Sequence, residues 1–195
     1  MLIDFFWCSC PMSQERRERA EYTLALWKSV EGIRLHEYRA TERNEAWEFQ
    51  SLRRQWAELE SESGIYIVAD DDMEPSRTES AEEWIFKGVS ILKRHLDFAL
   101  LSPWLEETRL GPWTPAGYQP FKDEEVEEMH NSGGIRFIRK GAIGGWPPQA
   151  RRGYDHEHCE ALRARGFRSG YFRNLWALHP GGKSETWKPL DSSAM

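Results

Sequence analysis

The sequence predicts an α/β fold, a single domain with a mostly parallel central sheet flanked by helices, on three observations. Strand-like and helix-like segments alternate along the chain, the pattern that packs helices onto a sheet. The run Ile65-Tyr-Ile-Val-Ala69 is apolar at every position, as a strand buried on both faces requires. The 195 residues are 39% hydrophobic, 13% aromatic and 30% charged, which supplies one ordinary core and argues against a disordered chain. Residues 1–182 are expected to form that domain and 183–195 a flexible tail.

Leu2–Ser9 is apolar and aromatic, a first strand closed by Pro11. Ser13–Val30 carries Ala20, Leu24, Trp27 and Val30 at helical spacing, with Gly32 placed to end it. Ile33–Tyr38 alternates and reads as a short strand. Asn44 can cap a second helix in which Trp47, Leu52, Trp56 and Leu59 form an apolar stripe up to Ser63 and Gly64. After the buried strand, Ser80 opens a third helix to about His95, and Asp97–Leu101 is a further strand. Four prolines and two glycines within 102–121 predict a long surface loop, of the kind that often faces substrate. Asp123–His130 reads as a short acidic helix, Ile135–Arg139 as a strand and Gly141–Gly153 as a turn. Asp155–Arg165 is a helix ended by Gly166, and Tyr171–Leu178 a last strand.

Met-Leu-Ile-Asp-Phe-Phe-Trp at the start is apolar, but it carries Asp4, lacks a basic leader and ends at Pro11, so neither a signal peptide nor a membrane span fits. Three cysteines, Cys8, Cys10 and Cys159, are too few for a disulfide framework and point to a reducing compartment. The expected location is the cytoplasm, or that of the host if the source is viral. Ten Trp are many for this length; most belong in the core, and the rest offer flat faces to sugars or bases.

Net charge is −6, unevenly spread. Gly134–Leu175 holds nine Lys or Arg against three acids, a local +6 that leaves −12 for the remainder. Such a segment is either a face that meets phosphate, of a nucleotide or a nucleic acid, or a solvated helix surface.

The strongest feature is the entry of the buried strand into Asp70-Asp71-Asp72. In an extended chain Asp70 and Asp72 project to one side. Their repulsion calls for a cation, and hard oxygen ligands favour Mg²⁺ or Mn²⁺. The carboxyl end of a strand in an open α/β sheet is also where nucleotides bind. No Gly-x-x-x-x-Gly-Lys-Ser/Thr and no Gly-x-Gly-x-x-Gly occurs, which counts against P-loop kinases and dinucleotide enzymes. Glu74 stands where a haloacid-dehalogenase-like phosphatase has Thr or Val, and Glu37 is a weak candidate for a nuclease acid.

Four pieces in order resemble the GT-A-fold glycosyltransferases, especially the family-2-like inverting enzymes. They are Cys8-Ser-Cys10-Pro11 after the first strand, Ile-Val-Ala-Asp70-Asp71-Asp72-Met-Glu-Pro75, Gly133-Gly134-Ile-Arg-Phe-Ile-Arg-Lys140, and Tyr154-Asp155-His-Glu157 leading through Arg165-Gly166-Phe to Leu178-His179-Pro-Gly. The resemblance covers roughly residues 1–182 and rests on order and spacing. It implies a GT-A-like domain and an inverting transfer of a sugar from a nucleotide-sugar donor to a hydroxyl acceptor. It also implies a Mn²⁺ or Mg²⁺ ion on Asp72, Asp70 and His179, with Asp155 as the general base. Cys10, Pro11, Asp70, Asp71 and Gly134 would line the donor site. The chain departs from the family at Tyr154, where an acid is usual, and in lacking Thr-x-Asn in the opening loop.

The acceptor stays open. A hydroxymethylated base in DNA, as small phage-type DNA glycosyltransferases modify, would suit the basic segment; a saccharide or small metabolite is the alternative. Trp146, Arg151 and Arg152 are the acceptor-side candidates, and Trp146 equally suits a loop anchor. A metal-dependent phosphoesterase or nuclease could use the same Asp cluster, and a non-catalytic nucleotide or nucleic-acid binding module is the third reading. Cys8, Cys10, His156, His158 and Cys159 match no common zinc spacing. Arg16, Arg17 and Arg19 read as an exposed first helical turn, with the donor diphosphate as the competing reading.

Overall fold

The computed structural model describes residues 2–9, 13–39, 57–58, 60–105, 123–129, 133–142 and 154–179. Strand β1 (Ile3–Ser9) is buried at every position, because it lies between β2 (Ile33–Arg39) and β3 (Ile65–Asp70) and is covered on both faces. Both pairings are parallel, as the apolar runs predict. Helix α1 (Gln14–Lys28) starts at Ser13, whose side chain accepts from Arg16 N, and it buries Ala20, Thr23, Leu24 and Trp27. The Trp27 ring packs on Phe5 at 4.5 Å and reaches Trp84 at 6.2 Å. Helix α2 (Ala81–Arg94) opens with a reciprocal Ser80–Glu83 capping box and buries Trp84, Ile85, Val89 and Leu92.

The sheet has eight strands in the order β2-β1-β3-β7-β5-β8-β4, with β6 paired to β8. The remaining strands are β4 (Glu74–Pro75), β5 (Phe98–Leu105), β6 (Val126–Glu128), β7 (Ile135–Arg139) and β8 (Arg168–Leu178). Pairing directions make β1, β2, β3, β5 and β8 run one way and β4, β6 and β7 the other, so the sheet is mostly parallel. Helices α1 and α2 cover one face, over Phe5, Ile67, Phe137 and Phe172. Helix α3 (Tyr154–Ala164) lies on the other, where Leu162 meets the cluster of Phe6, Tyr66, Val68, Leu100 and Ile138. No described helix is long and apolar enough to cross a membrane.

Three elements differ from expectation. Of the helix expected over 123–130, the described residues 123–129 are not helical: Val126–Glu128 pairs antiparallel with Phe172–Gly170 of β8. Asp123 Oδ1 takes the amides of Glu125 and Val126, both at 2.7 Å, a side-chain turn that competes with the helix. Strand β5 continues past Leu101 to Leu105, carrying Pro103 at an irregularity where its missing N–H does no harm. Strand β8 starts three residues earlier than Tyr171, because Phe98–Leu101 supplies a parallel partner. Of the helix expected after Asn44, only its end near Ala57 and Glu58 is described; Asn44, Trp47, Leu52, Trp56 and Leu59 lie outside the described residues, as does the tail.

Candidate functional site

Parallel strands bring their carboxyl ends to one edge of the sheet, and β1, β3 and β8 there deliver Ser9, Asp70 to Asp72, and His179. Asp71 turns inward and is 1% exposed. Its Oδ2 accepts from Ser9 Oγ at 2.7 Å, and its Oδ1 accepts from Arg16 Nη2 at 2.8 Å and Nε at 3.3 Å. Its backbone carbonyl accepts from Thr23 Oγ1 at 2.6 Å. The middle carboxylate therefore clamps the ends of β1 and β3 to α1.

Asp72 faces the other way. Its Oδ2 lies 3.0 Å from His179 Nε2, across 107 residues of chain, and 3.3 Å from Arg16 Nη2. Asp70, half-buried at the end of β3, donates its amide to the Gly134 carbonyl at 2.9 Å. A Cβ on Gly134 would meet Met73 Sδ at 2.8 Å and Asp70 Oδ2 at 3.2 Å, so glycine is what lets β7 start against the carboxylates.

Charge explains the protonation states. Burial, with the charge of Asp72 beside it, pushes the Asp71 carboxyl up, and Arg16 and Ser9 only partly offset it. Burial lowers the Arg16 guanidinium, but Asp72, Asp71 and Asp70 outweigh this and hold it above its ordinary value. The hydrogen bond to Asp72 raises the His179 imidazole, against desolvation. Asp70 acts on both Arg16 and His179, so all five side chains share one electrostatic site.

Among the described residues no group of three His, Cys, Asp or Glu is arranged to ligate a metal. The chemistry of the donors nevertheless fits a hard divalent cation: two carboxylates and an imidazole face one edge, and Asp72 and His179 already aim ligand atoms at each other. Asp155 is the second residue of α3. Cys10, Pro11, Trp146, Arg151 and Arg152, with the zinc candidates Cys10, His156 and His158, have no described side chains.

Arg16 corrects the expectation of an exposed helical turn; Arg17 is exposed as expected, whereas Arg16 is largely covered. The signal was Ser13: as N-cap it fixes the first turn of α1 against the end of β1, and that aims one residue of the turn at the carboxylates. At least four of the nine cations of the basic segment are engaged with the fold itself. Arg139 donates to the carbonyls of Leu92 and His95, Arg168 pairs with Asp97, Arg173 donates to the Asp123 carbonyl, and Lys140 to that of Ser61.

No family model and no curated protein matches the sequence. Among solved structures, S. aureus TarS 1–349 matches with TM-score 0.57 and 9% identity, over 89% of this chain and 60% of that one. A197 from STIV matches with TM-score 0.53 and 15% identity, over 92% and 85%. A glycosyltransferase involved in glycosylation of the major capsid of PBCV-1 matches with TM-score 0.53 and 13% identity, over 92% and 94%. The chain spans 36% of a longer TarS structure, so it is well short of that protein. The fold is GT-A-like, as in the PBCV-1 glycosyltransferase and the other two structures.

Proposed function

We propose that the chain is a metal-dependent inverting glycosyltransferase that moves a sugar from a nucleotide-sugar donor to a hydroxyl acceptor. The observation that carries this reading is the meeting of Asp72 and His179 at 3.0 Å on the carboxyl edge, beside Asp70. A structural ion pair would not need a third carboxylate and a glycine cradle at the same point.

Asp70, Asp72 and His179 would hold Mn²⁺ or Mg²⁺, which when bound neutralises charge developing on the leaving diphosphate. Asp71, fixed by Ser9 and Arg16, keeps the turn between those two ligands in place. Arg16 adds fixed positive charge behind the carboxylates. Asp155, the second residue of α3, would take the proton from the acceptor hydroxyl as it attacks the sugar carbon. Attack from the face opposite the leaving group inverts that carbon. Binding both partners at one edge makes the step effectively unimolecular.

Arg139, Lys140, Arg168 and Arg173 each hold a carbonyl or carboxylate of the fold, which weakens the support for a DNA acceptor, and a saccharide or small hydroxyl compound is the favoured class. Thermal shift with a panel of nucleotide sugars, with and without Mn²⁺ or Mg²⁺, tests the reading. One donor should stabilise the fold only with metal, and Asp72→Asn should abolish that shift. If no nucleotide sugar stabilises it with metal present, or the variant shifts like wild type, the proposal is wrong. Salt-sensitive binding of duplex DNA would restore the DNA acceptor.

A further inference from the structure

Three aromatic side chains stand on the sheet face that carries Asp70, and the phosphate chemistry uses none of them. Trp104, at the carboxyl end of β5, stacks on Tyr171 of β8 with ring centroids 4.5 Å apart and planes at 21°. Trp104 is also in register with Trp176 farther along β8, which is 42% exposed. Leu105, Phe172, Leu175 and Ala177 turn into the core with α1 and α2. Their neighbours Trp104, Tyr171 and Trp176 therefore turn to the other face. Tyr66 and Val68 point there too, toward Leu162 of α3, and Asp70 follows them by alternation along β3.

A two-glycine step joins this group to the carboxylates. A Cβ on Gly134 would meet Asp70 Oδ2 at 3.2 Å, and one on Gly133 would meet the Tyr171 ring at 3.8 Å. Gly133 N donates to Ser102 Oγ at 3.0 Å, which fixes the step to β5. Only β7 separates β3 from β5, so at a strand spacing of about 4.8 Å the strands of Asp70 and Trp104 lie about 10 Å apart. Glu127 of β6 stands opposite Tyr171 in the ladder and shares its face.

Flat aromatic faces take the C–H faces of a sugar ring, and a carboxylate takes its hydroxyls. A nucleobase would also stack, but the phosphates of a strand would meet Glu127 and the exposed Glu124. We propose that Trp104, Tyr171 and Trp176, with Glu127, form the subsite for a saccharide acceptor. It rests on the glycosyltransferase reading above.

The test places the 195-residue chain on an array of neutral mono- and oligosaccharides, with the thermal shift by Mn²⁺ plus UDP-glucose, UDP-galactose or GDP-mannose measured in parallel. Wild type should bind a subset of the glycans. Trp104→Leu and Trp176→Ala should each weaken that binding about tenfold or more, with the donor shift unchanged. Trp176 is exposed, so its variant keeps the test valid if Trp104→Leu fails to fold. The subsite is refuted by a wild type that binds no glycan, by Trp176→Ala binding glycans as wild type does, or by a single-stranded DNA oligonucleotide whose binding these substitutions abolish. A wild type with a donor shift and no glycan signal sinks the subsite alone; a wild type with no donor shift sinks the reading beneath it.

Discussion

Replacing Asp71 by Asn removes the charge on which the ends of β1 and β3 and the start of α1 converge, at almost no change in volume. The carboxylate takes three side-chain hydrogen bonds, two of them from a guanidinium. A hydrogen bond to a charged group contributes about 1.5–3 kcal/mol, and breaking a buried ion pair from one side costs about 3–5 kcal/mol. Asn still offers one acceptor, and Arg16 keeps Asp72 at 3.3 Å, so the net loss should be about 2–4 kcal/mol. In a domain of this size each kcal/mol lowers Tm by about 2–4 °C, which gives a fall of roughly 5–15 °C.

Asp72→Asn should show the opposite balance. It loses one charged bond to His179 and one longer contact to Arg16, for about 1.5 kcal/mol, while the response to Mn²⁺ disappears. Guanidinium unfolding followed by Trp fluorescence, and thermal melts with and without MnCl₂, read both quantities. If Asp71→Asn is as stable as wild type while Asp72→Asn is strongly destabilised, the division between a clamping and a ligating carboxylate is wrong.

Two further perturbations test the frame that holds this edge. Asp4, wholly buried, accepts from the amides of Glu62 and Ser63, from Ser61 and Ser63 hydroxyls and from His36, and these hold its pKa well below the carboxylate range although burial opposes them. A depressed folded pKa gives stability that is present above the unfolded value near 4 and lost as pH falls below it. Asp4→Asn should therefore cost about 3 kcal/mol at pH 7 and flatten the acid limb of urea-unfolding stability; an unchanged acid limb would show that Asp4 does not carry it. A Cβ at Gly170 would collide with the Glu127 carbonyl and come within 3.1 Å of Glu128 Cα, so Gly170→Ala should lift β6 and cost about 2–3 kcal/mol. Hydrogen exchange should speed at Met129 and Arg173, whose amides bond across that ladder; protection equal to wild type would count against the pairing.

The parts of the fold legible in the sequence were those whose burial is set locally. Ile65–Ala69 is apolar throughout because it has neighbours on both sides, and Ala20, Leu24 and Trp27 mark the α1 stripe for the same reason. The meeting of Asp72 and His179 was expected only from the chain order of the family resemblance. No local pattern says that His179 returns to within 3.0 Å of Asp72, which depends on β8 pairing with β5. What stayed hidden was decided by tertiary pairing against local preference. Acidic 123–130 looks helical until β8, cleared by Gly170, offers Val126–Glu128 a partner. The inward turn of Asp71, with Ser9 and Arg16 on its two oxygens, has no local signal in the sequence.

Charge counting misled for a related reason. A local balance of +6 over Gly134–Leu175 suggests a face for phosphate, yet a guanidinium is also a good fastener for carbonyls. Arg139 reaches two carbonyls at the end of α2, Leu92 at 2.6 Å and His95 at 3.3 Å, where the helix dipole favours a cation. Arg173 and Lys140 secure the carbonyls of Asp123 and Ser61, and Arg168 ties β8 to Asp97. Of these four, Arg168 is neutralised by Asp97, and the others are held at fixed points of the fold. At the carboxyl edge the balance among described side chains is three carboxylates against Arg16 and His179. An edge with that balance attracts a divalent cation before it attracts phosphate, so the donor diphosphate should bind after metal, and its affinity without metal should be weak whatever the salt concentration.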